Sequence, residues 1–271
     1  YPEIKKLCDD FDAHLTEECG KLGENYKKIT SLAYRQAIAA HKLVKDKEGN
    51  ILFLSKEDDS NGCIATLDVT YPSIPLFLKY APELVKGMLR PILKFARCDA
   101  WKFDFTPHDA GQYPLCNGQV YGRQILNLTG GVNCGNSFYG EYRLEGQMPV
   151  EEAGNMLLCL AAIKKYSGGD QTLFDENKDL MKKWVDYLVD FGYDPSTQLC
   201  TDDFAGHLAR NCNLSLKAIL GIAAYAELSG DSSYMEIARQ YAKQWEIDAK
   251  ATHKGTRLTF DDPDSWSLKY N

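Results

Sequence analysis

The apolar positions along the chain form two kinds of run. Met156-Leu157-Leu158-Cys159-Leu160-Ala161-Ala162-Ile163 and the stretch from Leu214 to Leu228 are greasy on every face of a helix, the pattern of a segment surrounded by protein. Each is followed by a stretch with one apolar face, carrying Leu180, Trp184 and Leu188 in the first case and Tyr234, Ile237, Tyr241 and Trp245 in the second. The joins are polar turns, Ser167-Gly168-Gly169-Asp170 and Ser229-Gly230-Asp231. This alternation predicts an all-α toroid of helical hairpins, with inner helices touching protein on all sides and outer ones facing water. A TPR or HEAT solenoid competes, but its repeats are shorter and its loops have no segment like that from Cys98 to Gln147.

Earlier in the chain, Ile4 to Cys19 and Glu24 to Val44 read as a helical hairpin turning at Gly20 to Gly23. Ile51-Leu52-Phe53-Leu54-Ser55 reads as a short strand. Proline is preorganised for the first position of a helix, so Pro72 and Pro82 are expected to open two successive helices, with Asp68 just ahead of the first. Helical periodicity then disappears from Cys98 to Gln147, a Gly-rich and aromatic stretch. Connections that long are usually functional, so it is expected to carry short strands and to cover the mouth of a pocket.

At 271 residues, with 44% hydrophobic and 25% charged residues, the chain can bury a substantial core, as one large domain, the reading preferred, or as two ordinary ones. A net charge of −7 without a cluster of Lys and Arg argues against a nucleic-acid partner and for a small-molecule or neutral polymeric ligand, such as an oligosaccharide. No apolar run is long enough to span a membrane. The nine cysteines include no CxxC pair, so most are expected to be free thiols. The ends, Tyr1-Pro2-Glu3 and Leu268-Lys269-Tyr270-Asn271, read as cuts in a longer protein.

Chemistry is expected where the buried helices begin. Helix N-termini tolerate negative charge, and in a toroid the inner helices open on one rim. That rim would gather Asp68, Glu151 and Glu152, and, from the loop ahead of the second inner helix, Asp202, Asp203 and His207. Neighbouring carboxylates push one another's pKa values apart, the condition for pairing an acid with a base. Successive helical residues diverge by about 100°, so only one of Glu151 and Glu152 is expected to face the site, with Glu152 favoured and the other acting as a cap or ion-pair partner. Asp202 and Asp203 pose the same choice, with Asp203 the candidate general acid or an N-cap. His108 and Asp109 are candidates for positioning substrate, or a turn acid beside a histidine, and His207 could tune Asp203. Gln119, Asn117 and Asn155 could hydrogen-bond an amide or sugar hydroxyls, or cap turns. No histidine pair has ligand spacing and no cofactor motif occurs, so neither a metal nor a cofactor is expected.

Several phrases carry a resemblance: Leu7-Cys8-Asp9-Asp10-Phe11-Asp12, Ala33-Tyr34-Arg35-Gln36-Ala37, Asp68-Val69-Thr70-Tyr71-Pro72, Pro107-His108-Asp109, Asn117-Gly118-Gln119-Val120-Tyr121, Met148-Pro149-Val150-Glu151-Glu152 with Gly154-Asn155-Met156, and Thr201-Asp202-Asp203-Phe204-Ala205-Gly206-His207. In this order they resemble the bacterial and fungal glutaminase A-like proteins, whose central domain is a six-hairpin (α/α) toroid similar to those of several glycoside hydrolases. The resemblance implies a partial ring, a β-rich N-terminal region ahead of it in the whole protein, and a secreted, periplasmic or cell-surface hydrolase. Its substrate would be the amide of L-glutamine, with a glycosidic bond or a purely carbohydrate-binding role as alternatives.

Overall fold

The structure, a computed structural model, describes residues 1–57, 61–125, 140–201, 206–253 and 255–268. It divides into two compact units, Tyr1–Lys42 and Leu43–Asn271. The first is a hairpin of α1 (Pro2–Gly20) and α2 (Glu24–Ala39). Pro2 and Glu3 suit the first turn of α1. The chain reverses at Gly23, whose φ of 106° a side chain would strain. The rings of Phe11 and Tyr34 meet across the hairpin at 5.2 Å.

The second helix was expected to run to Val44, but it stops at Ala39 and His41–Lys45 form strand β1. The cause is tertiary pairing. Strand β2 (Ile51–Ser55) supplies a ladder for β1, and the turn between them is closed by Asp46, whose carboxylate accepts from the Asn50 backbone N–H at 2.8 Å and from its side chain at 3.1 Å.

The second unit then runs through α3 (Leu67–Tyr80) and α4 (Pro82–Ala96), the strands β3 (Arg123–Ile125) and β4 (Gly140–Tyr142), and α5 (Pro149–Tyr166). It continues with the short α6 (Thr172–Asp175), α7 (Lys178–Phe191), α8 (Cys212–Ser229) and α9 (Ser232–Asp248). Pro82 opens α4 as expected, but α3 begins at Leu67, so Pro72 and Pro75 lie inside it. Each proline removes one donor from the ladder, a cost carried here by a helix packed against both α4 and α5. The earlier start places Asp68 in the first turn of α3, not ahead of it.

The expected pairing of inner and outer helices is present. Helices α5 and α8 are buried nearly all round, whereas α7 buries one stripe, Leu180, Met181, Trp184, Val185 and Leu188, and α9 buries only Tyr234 and Ala238. Inner helix α5 packs on α3 on one side and α8 on the other, each backed by its outer partner, α4, α7 or α9. These are three hairpins of a partial (α/α) six-hairpin ring. The long connection carries the expected short strands, β3 and β4, antiparallel with Gln124 opposite Glu141. Among the described residues no helix is long and apolar enough to cross a membrane.

Close approach of α5 to α8 depends on two glycines: a Cβ on Gly221 would meet the Cα of Gly154 at 3.1 Å. The two backbones come together one and a half turns beyond the N-terminus of α5, which sets the spacing of the side chains above them.

Candidate active site

The N-terminal turns of α3, α5 and α8 supply a buried polar cluster. Pro149 at the start of α5 fixes the entry, and Glu151 and Glu152 follow in the first turn, 1% and 0% exposed. The two diverge as helical geometry requires, yet both point into protein, because α5 is enclosed on all sides. Both side chains are buried, not one alone, and they face different partners, Glu151 as an ion-pair partner and Glu152 towards His108. The Glu151 Oε1 atom accepts from the ammonium of Lys217 on α8, from the Thr201 hydroxyl at 2.7 Å and from the Asn155 side chain at 3.2 Å. Glu152 turns to the other side, where its Oε1 lies 4.0 Å from His108 Nε2.

Asn155 links the two. Its amide donates to Glu151 Oε1 and Glu152 Oε2, both at 3.2 Å, while its carbonyl oxygen accepts from Lys217 at 2.8 Å. Lys217 also sits 4.8 Å above the ring of Tyr71 on α3. One ammonium thus holds together all three inner helices. A lysine near the start of the largely apolar run Leu214 to Leu228 was the available signal for this, since a charge buried in such a helix has to be paired.

His108 comes from the connection after α4. Its Nδ1 lies 3.0 Å from Asp109 Oδ2, and its ring stacks on Tyr121 at 4.1 Å. Asp109 is fully buried and accepts three backbone N–H groups, from Gly111 and Val120 at 2.9 Å and Tyr121 at 3.1 Å. With these bonds and the one to His108 its acceptor positions are taken up within the chain, and it fixes the imidazole. Gln119 does similar work: its carbonyl oxygen accepts from the His108 N–H, and its amide donates to the Tyr121 carbonyl and to Gln147, all at 2.7 Å. Both of its amide hydrogens are used internally, as are those of Asn155.

The remaining side of His108 faces acids. Its Nε2 lies 3.6 Å from Asp68 Oδ1, and Asp68, His108 and Glu152 each offer an atom within 4.8 Å of the others. Glu152 Oε1 is buried and has no hydrogen-bond partner among the described residues. Burial would lower the His108 pKa, but the hydrogen bond to Asp109 and the charges of Asp68, Asp109 and Glu57 outweigh it, and the net direction is upward. Burial, followed by the charges of Asp68 and Glu151, pushes the Glu152 carboxyl well above the usual carboxylate range.

Asp68, His108, Asp109, Gln119, Glu151, Glu152 and Asn155 are thus brought together, and His207 is exposed. Asp202 and Asp203 lie outside the described residues. Cys63 sits beside the His108–Asp109 pair, but burial, with the charges of Asp109 and Glu57, drives its thiol upward, away from the reactive thiolate. The other described cysteines, Cys8, Cys19, Cys98, Cys116, Cys159, Cys200 and Cys212, are likewise free thiols, in line with the sequence. Trp101 packs among Phe95, Phe103, Phe105 and Tyr142 and is 6% exposed.

Buried carboxylates at the N-terminal ends of inner helices, with a histidine from the connection after α4 beside them, set the polar cluster at one end of a hairpin ring. Comparison with known sequences gives the family: residues 23–271 match the glutaminase A six helical-hairpin domain, and the chain belongs to it. It is 32% identical to glutaminase A of Aspergillus oryzae, an alignment spanning 100% of this chain and 38% of that protein. It is 28% identical to a probable glutaminase of Arthroderma benhamiae over 92% of this chain and 34% of the relative. The chain therefore spans less than two fifths of the length of either relative.

Proposed function

We propose that this chain carries the catalytic centre of a hydrolase that cleaves the side-chain amide of L-glutamine to glutamate and ammonia. One observation carries the reading: Asp68, His108 and Glu152, from three separate segments, converge on a single gap in which a Glu152 oxygen has no hydrogen-bond partner among the described residues. The names of both relatives support the substrate. Water in the gap loses a proton to the Asp68 and Glu152 pair as its oxygen bonds to the amide carbon. The C–N bond then breaks, and nitrogen leaves as ammonia with a proton from a general acid, for which Asp203, with Asp202 as its neighbour, is the candidate.

A glycosidic bond is the alternative substrate, but the names of both relatives favour the amide. The proposal also includes a longer, exported polypeptide with a β-rich N-terminal region, supported by the relatives' greater length for the first part and by resemblance alone for the rest.

The test is ammonia release from L-glutamine by the full-length protein. Glu152→Gln and Asp68→Asn are each expected to lower kcat by about 100-fold or more. Unchanged ammonia release in both variants, or turnover confined to aryl glycosides, overturns the reading.

A further inference from the structure

We propose that Asp68, His108 and Glu152 bind one divalent first-row cation of the Zn2+ or Mn2+ type. The first argument is distance. His108 Nε2 lies 3.6 Å from Asp68 Oδ1 and 4.0 Å from Glu152 Oε1, and the three atoms are within 4.8 Å of one another. These separations are too long for direct hydrogen bonds. A point equidistant from three such atoms is roughly 2.0–2.5 Å from each, the range of carboxylate and imidazole ligands to a divalent ion.

The second argument is the tautomer. Asp109 is pinned by three backbone N–H donors and has only acceptor atoms to offer, so the Nδ1 that faces it at 3.0 Å carries a hydrogen. That leaves the Nε2 lone pair aimed at the gap. A carboxylate on the far nitrogen is the usual support of a metal-bound imidazole; it fixes the ring and raises its basicity. A proton on Nε2 instead would find its nearest described carboxylate oxygens at 3.6 and 4.0 Å, too far to receive it well.

The third argument is the Glu152 oxygen. Glu152 is 0% exposed; its Oε2 accepts from Asn155, while Oε1 points into the gap with no hydrogen-bond partner among the described residues. A buried carboxylate oxygen left so carries a full desolvation cost that a cation removes. Lys217 does not serve, because its ammonium is committed to Glu151 and Asn155. One imidazole with two carboxylates is a mixed nitrogen and oxygen set, which suits Zn2+ or Mn2+ better than the all-oxygen preference of Mg2+ or Ca2+. The sequence hid this set because no two of its members lie within one ligand motif; the fold gathers them from α3, the connection after α4, and α5.

The inference rests on the catalytic reading only for the role of the ion: as its ligands, Asp68 and Glu152 would no longer accept the proton of the attacking water, which the ion would polarise instead; binding can be measured without turnover. Full-length protein purified without chelator is assayed for metal content, then stripped and titrated with Zn2+ and with Mn2+ by calorimetry, with Mn2+ also followed by electron paramagnetic resonance. One ion per chain is expected, lost in His108→Ala and Glu152→Gln. Asp109→Asn should weaken binding by about 10–100-fold through the imidazole, and Glu83→Gln, remote on α4, should leave it unchanged. Circular dichroism confirms that each variant is folded, and Asp68→Asn, nearly isosteric, gives an independent loss of binding should another variant not fold. Saturable binding absent for both ions below about 1 mM, or binding indifferent to both His108→Ala and Glu152→Gln, overturns the site. Glutamine hydrolysis by demonstrably metal-free protein removes the ion's part in the reaction and leaves the hydrolase reading intact, whereas a bound ion without turnover keeps the site and removes that reading.

Discussion

Lys217 on α8 and Glu151 on α5 form an ion pair in which each side chain is only 1% exposed. Such a pair stabilises little relative to two well-packed apolar residues, because desolvating both charges offsets much of their attraction. Breaking it is another matter. Lys217→Met leaves the Glu151 carboxylate buried with only Thr201 and Asn155 as donors, and a loss of about 3–5 kcal/mol is expected in urea denaturation. The double variant Glu151→Gln with Lys217→Met should recover a large part of that loss. A double variant no more stable than Lys217→Met would show that the lysine acts through packing on Tyr71 and not through its charge.

Much of the ring could be read from the sequence because inner and outer helices differ in a quantity visible residue by residue: α5 and α8 are apolar on every face, α7 on one. The acids Asp68, Glu151 and Glu152 were visible for the related reason that helix N-termini are where buried carboxylates are tolerated. What escaped depended on partners far along the chain. His41–Lys45 continues a helical pattern and becomes a strand only because Ile51–Ser55 lies beside it. Gln119 and Asn155 looked like ligands for substrate, yet their amides are consumed in holding His108 and the two glutamates. Polar residue types reveal a capacity for hydrogen bonding, and only the fold shows where it is directed.

The crossing of α5 and α8 offers a test of how the cluster is spaced. A Cβ at position 221 would lie 2.9 Å from Leu188 Cδ1 and 3.1 Å from the Gly154 Cα, so one neighbour is a movable side chain and the other a backbone. Gly221→Ala is expected to destabilise the chain by about 1–3 kcal/mol, despite the better helix propensity of alanine. Thermal or urea denaturation measures the sign directly. A stabilised variant would mean that the two helices are free to separate and that the spacing of Glu151 from Lys217 is not held by this contact.

Acid stability should depend on a pair far from the cluster. Asp170, in the turn after α5, accepts from the Lys86 ammonium on α4 at 2.5 Å and from the Thr172 backbone N–H at 2.9 Å. The Lys86 hydrogen bond, followed by that from Thr172, holds its carboxyl down to about 2, below its ordinary value of 3.8. Glu83, which also contacts Lys86 at 2.6 Å, is shifted in the same direction against its own burial. A carboxylate whose pKa is lower in the folded chain than in the unfolded one contributes stability that is complete above the unfolded value. That contribution is lost as the pH falls through the folded one. The window here runs from about pH 4 down through about pH 2. Lys86→Met removes the cation that lowers both acids, so the variant should be less stable than the parent near neutrality, and the difference in urea midpoint should shrink as the pH is lowered across that window. A difference that stays constant down to about pH 2 would mean that Lys86 stabilises the chain by packing its methylene stem between α4 and the turn, with the charge of Asp170 playing no part.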